Sequence, residues 1–443
     1  MVSAVADLVR AAEATGDAAQ ALALWRQVLA ADPVHAIALL SLGDAARRAG
    51  RAREADEMLS RAVAAAPGLV PARCALANLL LHEGRTGEAG AHLAVAAERG
   101  PGIAYVWRDI GLLRRVTGDP AGALAAFERC LELAPGDAAA GLGRSLALLR
   151  LGRWGEGFAG YRHRWSVAVR PPRHQQIPVW QGENPVGRRI LVWDEQGAGD
   201  TIMCVRLVRV LMAAGAQVVL EAPAALSPLF ADGRHGTLVE RGGEVPPVDM
   251  QVPLLDLPGL LGLEPSAIPW EGPYISGQAE LTAIWGERLA RRGNRPRIGI
   301  SWAGNPAHPG DFWRTPGLAS LLPLLSRTGA DWYALQVASG REELRDTKLP
   351  GHVTDLGAEI GSWADTAAIL PHLDLLITPD SALAHLAGAM GRPVWTLIAT
   401  DTDWRWLEAS PKTGWYPSMR LFRQKGCGDW AGVVARVGVA LPA

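Results

Sequence analysis

The sequence predicts two unlike parts: an all-α solenoid of helical hairpins, then an α/β region built on parallel sheets. Three observations carry this. Pro33, Pro67, Pro101 and Pro135 recur every 34 residues. From Arg189 onward, short apolar runs alternate with helix-patterned stretches, the rhythm of a parallel sheet. Between the two, residues 170–187 read RPPRHQQIPVWQGENPVG, a stretch rich in proline and polar residues that marks a boundary.

The repeat positions keep step with the prolines. Small residues recur at Ala21, Ala55, Ala89 and Ala123, and bulky ones four later at Trp25, Leu59, Leu93 and Phe127. Val28, Ala62, Ala96 and Cys130 follow. Two short helices pack where alanine lets their backbones approach, the large residue fills the groove, and proline closes the second helix. A 34-residue period with Leu42-Gly43 and Ile110-Gly111 in the first helices resembles the tetratricopeptide repeat. Residues 141–165, with Tyr161 in the bulky position and no closing proline in register, read as a degenerate capping repeat.

Composition narrows the function. The 443 residues suffice for two or three domains, and 49% apolar with 20% charged is an ordinary globular balance. Lys and Arg number 44 against 45 Asp and Glu, so no global charge favours nucleic acid. Cys74, Cys130, Cys204 and Cys427 are scattered, with no CxxC pair, which argues against a zinc site or a disulfide framework and fits a reducing compartment. The opening MVSAVADLVRAAEATGD lacks a basic leader and a long apolar core, so neither a signal peptide nor a membrane span is expected, and the expected compartment is the cytoplasm.

In the α/β part, residues 189–193 (RILVW) read as a strand, followed by the turn Glu195-Gln196-Gly197-Ala198-Gly199-Asp200 and a helix over 202–213. A strand at 217–220, a helix at 224–230 and a strand at 248–252 continue the series, and 280–291 reads as a helix. A second series starts at 297–302 (RIGISW), with helices at 317–327, 363–369 and 430–439 and a strand at 332–336. The most informative stretch is 374–395, DLLITPDSALAHLAGAMGRPVW. Leu375–Thr378 is a buried strand, Asp380 and Ser381 stand where they can cap a helix running to about Met390, and Val394–Ile398 is the next strand. A helix N-terminus at the carboxyl end of a parallel strand is a ready anion site, and Ser381 and His385 share one helix face. Spacing alone leaves a second reading open, in which Asp380 is only a cap and His385 a packed histidine.

The run D-S-A-L-A-H-L-A-G-A-M-G-R-P-V resembles the donor-site segment of heptosyltransferase-like enzymes of glycosyltransferase family 9, which read D-T-G-x-x-H-x-A-x-x-x-x-x-P. The resemblance implies the GT-B architecture, two Rossmann-like domains facing a cleft, with this segment holding the diphosphate of a nucleotide sugar. It departs at Ala382, where the family has glycine. It also implies that Asp200, in the turn with Gly197 and Gly199, is the general base that takes the proton from an acceptor hydroxyl, Glu195 being the second candidate. A plain N-cap aspartate in a Gly-rich turn is the competing reading of Asp200.

The loop at 301–316, SWAGNPAHPGDFWRTP, supplies Asn305, His308, Asp311 and Arg314 at a strand's carboxyl end. Arg314 stands about where related transferases place a basic residue, and can neutralise a diphosphate by a bidentate contact; a surface arginine is the alternative. Asp401-Thr402-Asp403 matches D-x-D, a weak metal motif, and reads better as a loop whose aspartates cap or pair with Arg405. Trp404, Trp406, Trp415 and Tyr416 read as core before they read as a stacking platform.

The expectation is a bacterial, cytoplasmic chain with a repeat domain at 1–168, a linker at 169–187, an acceptor-side Rossmann-like domain at 188–292 and a donor-side one at 293–443. The resemblance implies a metal-independent glycosyltransferase without a cofactor. It moves a sugar from a nucleotide-sugar donor to a protein hydroxyl recruited by the repeats, as in repeat-bearing O-glycosyltransferases such as those acting on flagellin. The donor contacts are Arg314, Asn305, His308, Asp380, Ser381, Ala382 and His385. The alternatives are a non-catalytic scaffold with a degenerate transferase domain, or an enzyme acting on a glycan or lipopolysaccharide.

Overall fold

The computed structural model describes residues 2–168, 171–289, 293–308, 310–408 and 410–441. The chain divides into two compact units, Met1–Arg144 and Ser145–Ala443. The described residues of the first are helical: Val2–Ala14, Ala18–Ala31, Ala36–Arg48, Ala52–Ala65, Val70–His82, Thr86–Arg99, Ala104–Val116, Pro120–Leu133 and the start of Ala138–Arg150, which runs into the second unit. Each of the four periodic prolines falls two residues past a helix end, where the missing N–H costs nothing. The first-helix glycines have a packing reason. A Cβ on Gly43 would stand 2.9 Å from Leu59, and one on Gly111 2.7 Å from Phe127, so the bulky repeat residue fills the space that the glycine leaves. A periodic signal that the proline reading passed over is Gly50, Gly84 and Gly118, which turn the chain between paired helices with φ of 71°, 80° and 83°.

The second unit begins earlier than the sequence reading placed it. Residues 145–168, expected to cap the repeats, pack within the α/β unit. In the helix Trp154–Gly160, Trp154 is buried against Trp404 and Trp415, with ring centroids at 5.4 and 6.0 Å. From the helix His163–Val167, Arg164 reaches Glu195 and Asp256. The expected linker is structured as well. Trp165 and Ile177 pack on Leu191, Trp193 and Val219, and His174 bonds Glu221. Residues 178–180 extend a sheet edge, Trp180 N–H donating to the Gln251 carbonyl at 2.9 Å and Gln251 N–H to that of Pro178 at 2.8 Å. Apolar and charged partners on the sheet override the loop-like composition. Val169 and Arg170, at the expected linker start, lie outside the described residues, as does Arg291 at the end of the expected 280–291 helix, which is found as Ala279–Arg288.

Among the described residues, ten strands form two sheets, with every pairing between them parallel. β1 (Arg189–Trp193), β2 (Gln217–Ala222), β3 (Thr237–Glu240) and β4 (Met250–Pro253) take the order β3-β2-β1-β4. β5 (Arg297–Ile300), β6 (Asp331–Ala334), β7 (Val353–Asp355), β8 (Leu375–Pro379), β9 (Val394–Ile398) and β10 (Met419–Arg423) take the order β10-β9-β8-β5-β6-β7. An all-α repeat array followed by two parallel α/β sheets is the expected fold class, in the GT-B-like manner. The strand order reverses between β5 and β8, and that switch point is where ligands enter open sheets of this kind.

Three details differ from expectation. The helix expected over 202–213 is two, Ala198–Cys204 and Arg206–Ala213, because the Arg206 side chain takes the Met203 carbonyl at 3.1 Å, which an unbroken helix would give to a backbone N–H. The short β3 and β7 carry too few buried residues to show a pattern, and β10 is interrupted by the exposed Arg420. Among the described residues, no helix is long and apolar enough to cross a membrane.

Candidate functional site

The switch-point crevice of the second sheet is lined by hydroxyls. Ser301, just past β5, shares a hydrogen bond of 2.7 Å with Thr378 of β8, and Thr378 one of 3.1 Å with Ser381. Ser301 and Thr378 are buried. Ser381 holds the N-cap position of the helix Ala382–Ala389, but its side chain makes no cap bond, being turned to Thr378 instead. This corrects the expectation that Ser381 caps the helix. The first turn is left without a side-chain acceptor, at the positive end of the helix dipole.

His385 lies four residues on and is almost wholly buried. Its Nδ1 pairs with the Tyr416 hydroxyl at 2.9 Å, its ring stacks on Trp406 at 5.1 Å, and its Nε2 stands 3.9 Å from the Asp380 carboxylate. Burial, with Arg405, Arg206 and Arg314 nearby, holds the imidazole well below its ordinary pKa, so it is neutral. The packed reading of His385 therefore fits its surroundings, and its reach toward a ligand is confined to the edge facing Asp380.

The Gly-rich turn meets this helix directly. Asp200 Oδ2 accepts from Gly197 N–H at 2.9 Å, and its Oδ1 pairs with Arg405 at 2.5 Å. A Cβ on Gly199 would lie 2.8 Å from the His385 ring and 3.3 Å from Ala382 Cα. Gly197 and Gly199 thus serve a capped turn and the close approach of the two α/β halves. Gly199→Ala is expected to force the turn off the helix, lowering the melting temperature of the full chain by several degrees, since overpacking costs about 1–3 kcal/mol. Differential scanning fluorimetry reads this, and an unchanged midpoint would mean the contact is slack.

Glu195, the second candidate base, is committed elsewhere. Both its carboxylate oxygens accept from Arg164, at 2.7 and 2.9 Å, and Asp256 lies 2.7 Å from the same guanidinium. Burial raises its pKa against the pull of Arg164. The group is a buried structural ion pair, and the reason its motif position misled is that Arg164 lies 31 residues away in sequence.

In the 301–316 loop, Asn305 accepts from Ala307 N–H at 3.0 Å and His308 Nδ1 from Gly310 N–H at 3.0 Å. Both side chains shape the turn, and both residues are exposed. Pro309 lies outside the described residues. Arg314, half-buried, stands 3.5 Å from Asp311. The loop converges on the same place as the Gly-rich turn. Partial desolvation of its ring, and then Arg314, hold His308 below its ordinary pKa, while Asp380, Asp200 and Asp311 pull the other way. The structure therefore gathers Asp200, Asp380, His308 and Arg314 into one electrostatic neighbourhood; Glu195 also feels Asp200, but its carboxylate is taken by Arg164.

The D-x-D loop behaves as read from sequence at Asp403, which accepts from Arg405 N–H at 3.1 Å and pairs with its guanidinium at 3.3 Å. Burial pushes the Asp403 carboxyl up to about 6. Trp404, Trp406, Trp415 and Tyr416 are buried core. The sequence reading missed Arg206. It is buried, donates to the Trp415 carbonyl and the Tyr274 hydroxyl at 2.7 Å each, and stands 4.4–5.4 Å from four aromatic rings. Its sequence neighbours are aliphatic, so nothing local announced it. Among the described residues, no three His, Cys, Asp or Glu side chains are grouped to hold a metal.

The chain joins tetratricopeptide repeats to a heptosyltransferase-like domain. Residues 6–70 and 108–162 match the tetratricopeptide repeat family, and residues 348–417, which contain β8 and the Ala382–Ala389 helix, match glycosyltransferase family 9 (heptosyltransferase). It is thus a glycosyltransferase-like protein. It is similar to Protein FlbA of Caulobacter vibrioides, 27% identical over 405 residues that cover 76% of this chain and 67% of that protein. Among solved structures it resembles MamA (24% identity, 33% of this chain and 86% of that one, TM-score 0.30). It also resembles a thermophilic tetratricopeptide protein of Thermus thermophilus (22% identity, 37% of this chain and 91% of that one, TM-score 0.32).

Proposed function

We propose that this protein transfers a sugar from a nucleotide-sugar donor to a hydroxyl of a protein held by the repeats. The observation that carries the reading is the convergence of Asp200, from the first α/β half, on Asp380, Arg314 and the uncapped start of the Ala382–Ala389 helix in the second. The helix start and Arg314 take the diphosphate, and Asp200 takes the acceptor proton. Each Asp200 oxygen already accepts one donor, and a carboxylate has about four lone-pair sites, so room for a hydroxyl remains. His308 and Asp380 border the donor, and Ala382 narrows the backbone's approach to it. The proposed compartment is the bacterial cytoplasm, where nucleotide sugars are available. A repeat array suited to extended partners supports a protein acceptor, and the resemblance to repeat-bearing O-glycosyltransferases makes flagellin a candidate.

Leaving-group charge is assigned to a guanidinium and helix N–H groups, so neither a metal nor another cofactor enters the scheme. Turnover is expected to survive EDTA. Arg314→Ala is expected to weaken nucleoside-diphosphate binding about 10- to 100-fold, the effect of losing a charge-assisted contact. Calorimetric titration over UDP, GDP, ADP and CMP measures it. Unchanged affinity would place the donor elsewhere, and activity lost to EDTA and restored by Mn²⁺ would return Asp401 and Asp403 as ligands.

A second reading is a binding scaffold. It is favoured by the burial of His385 and by Ala382 where the family has glycine. Donor consumption by the purified full chain separates the two, since a scaffold binds nucleotide without consuming the sugar donor.

A further inference from the structure

Arg405 is not among the residues that the transferase motif supplies, yet it is the most heavily engaged cation at the site. It follows β9 in the short turn Trp404–Trp406 and is buried, 8% exposed. Its guanidinium joins two carboxylates from different halves of the α/β unit: Asp200 of the first at 2.5 Å, and Asp403 of the second at 3.3 Å. Asp380 adds a third negative charge within electrostatic reach. Asp403 in turn fixes the Arg405 backbone by accepting its N–H. Asp200 is thereby held from both sides, by Gly197 N–H within its own turn and by Arg405 across the gap.

We propose that Arg405 is a positioning residue for the transfer reaction: it reaches from the second half to hold the Asp200 carboxylate beside the donor helix. This rests on Asp200 being the base. Two physical requirements support it. A general base works only within hydrogen-bond reach of its proton, and misplacement by about 1 Å costs on the order of 100-fold. Glu195 and Gln196 anchor the start of the Gly-rich turn on Arg164 and Tyr161, but the Asp200 carboxylate at its far end is held by Gly197 N–H and Arg405. A rigid, always-charged fork is the side chain suited to this task, and lysine cannot copy its geometry. Without it, Asp200, Asp403 and Asp380 repel one another uncompensated by this cation, and the Asp200 carboxylate loses one of its two holds.

The test uses the full chain with Arg405→Met, Arg405→Lys, Asp200→Asn and the Asp200→Asn/Arg405→Met double variant. Consumption of UDP-, GDP-, ADP- and CMP-sugars is followed together with urea unfolding. Arg405→Met should lower kcat on the order of 100-fold with donor KM within about threefold. Millimolar guanidinium should restore part of the rate and ammonium should not. Arg405→Lys should stay impaired although it keeps the charge. In unfolding, the shift of the double variant should be clearly smaller than the sum of the single shifts, because the two residues act as a pair. Additive shifts overturn the proposal, as does Arg405→Met turning over at the wild-type rate. If the wild type consumes no donor, or Asp200→Asn retains full rate, the functional reading fails. The unfolding cycle still decides whether Arg405 holds the Asp200 turn.

Discussion

Arg164→Met is expected to lower the melting temperature of the full chain by on the order of 10 °C. Methionine keeps much of the apolar stem but leaves Glu195 and Asp256 buried, adjacent and without their cation. Breaking a buried pair from one side costs about 3–5 kcal/mol, and a unit of this size loses about 2–4 °C per kcal/mol. Glu195→Gln should cost less, because Arg164 keeps Asp256. The same contact decides where the transferase unit can be cut. A fragment of residues 171–443 lacks Arg164 and Trp154, so it exposes Trp404 and Trp415 and orphans both carboxylates. It is expected to aggregate, whereas 145–443 should melt cooperatively. Scanning calorimetry on both fragments checks this, and equal, cooperative transitions would show that residues 145–168 are dispensable.

That boundary shows what the sequence could and could not reveal. The repeats were legible because each proline, glycine and bulky residue acts on neighbours within one 34-residue period, so the period records the packing. The last, degenerate repeat was legible in the same way, but its packing was not. Tyr161 sits in repeat register, but its neighbours Trp154 and Arg164 were recruited by Trp404 and Glu195, partners that no local pattern can announce. The strands of both sheets' centres were legible as apolar runs; β3 and β7, short and half-buried, were not. At the site, the helix start at Ser381 and the loop at 301–316 were visible because turn chemistry is local. The roles of Gly199, Arg405 and Arg206 were not, since each depends on a contact made across the α/β unit.

Asp200→Asn is expected to abolish most donor consumption, a loss of about 10²–10⁴ in kcat, the usual contribution of a positioned general base. Donor affinity should stay within about threefold, because the single Asn carbonyl still accepts from one of the two donors that Asp200 serves, Arg405 or Gly197 N–H. The fold should persist, with a loss of stability limited to the other hydrogen bond and the charge part of one ion pair. The variant therefore separates chemistry from assembly, which Glu195→Gln and Gly199→Ala cannot do, as the first acts through a buried ion pair and the second through packing. The measurement is steady-state consumption of the donor found by titration, alongside its dissociation constant and melting temperature. A variant with wild-type kcat would remove Asp200 from the chemistry. Asp200 and its partner Arg405 would then be an interdomain strut, and the scaffold reading would gain the residue that the transferase reading lost. A variant that binds donor normally but cannot consume it would assign the acid–base step to a carboxylate held by Gly197 N–H on one side and a guanidinium on the other.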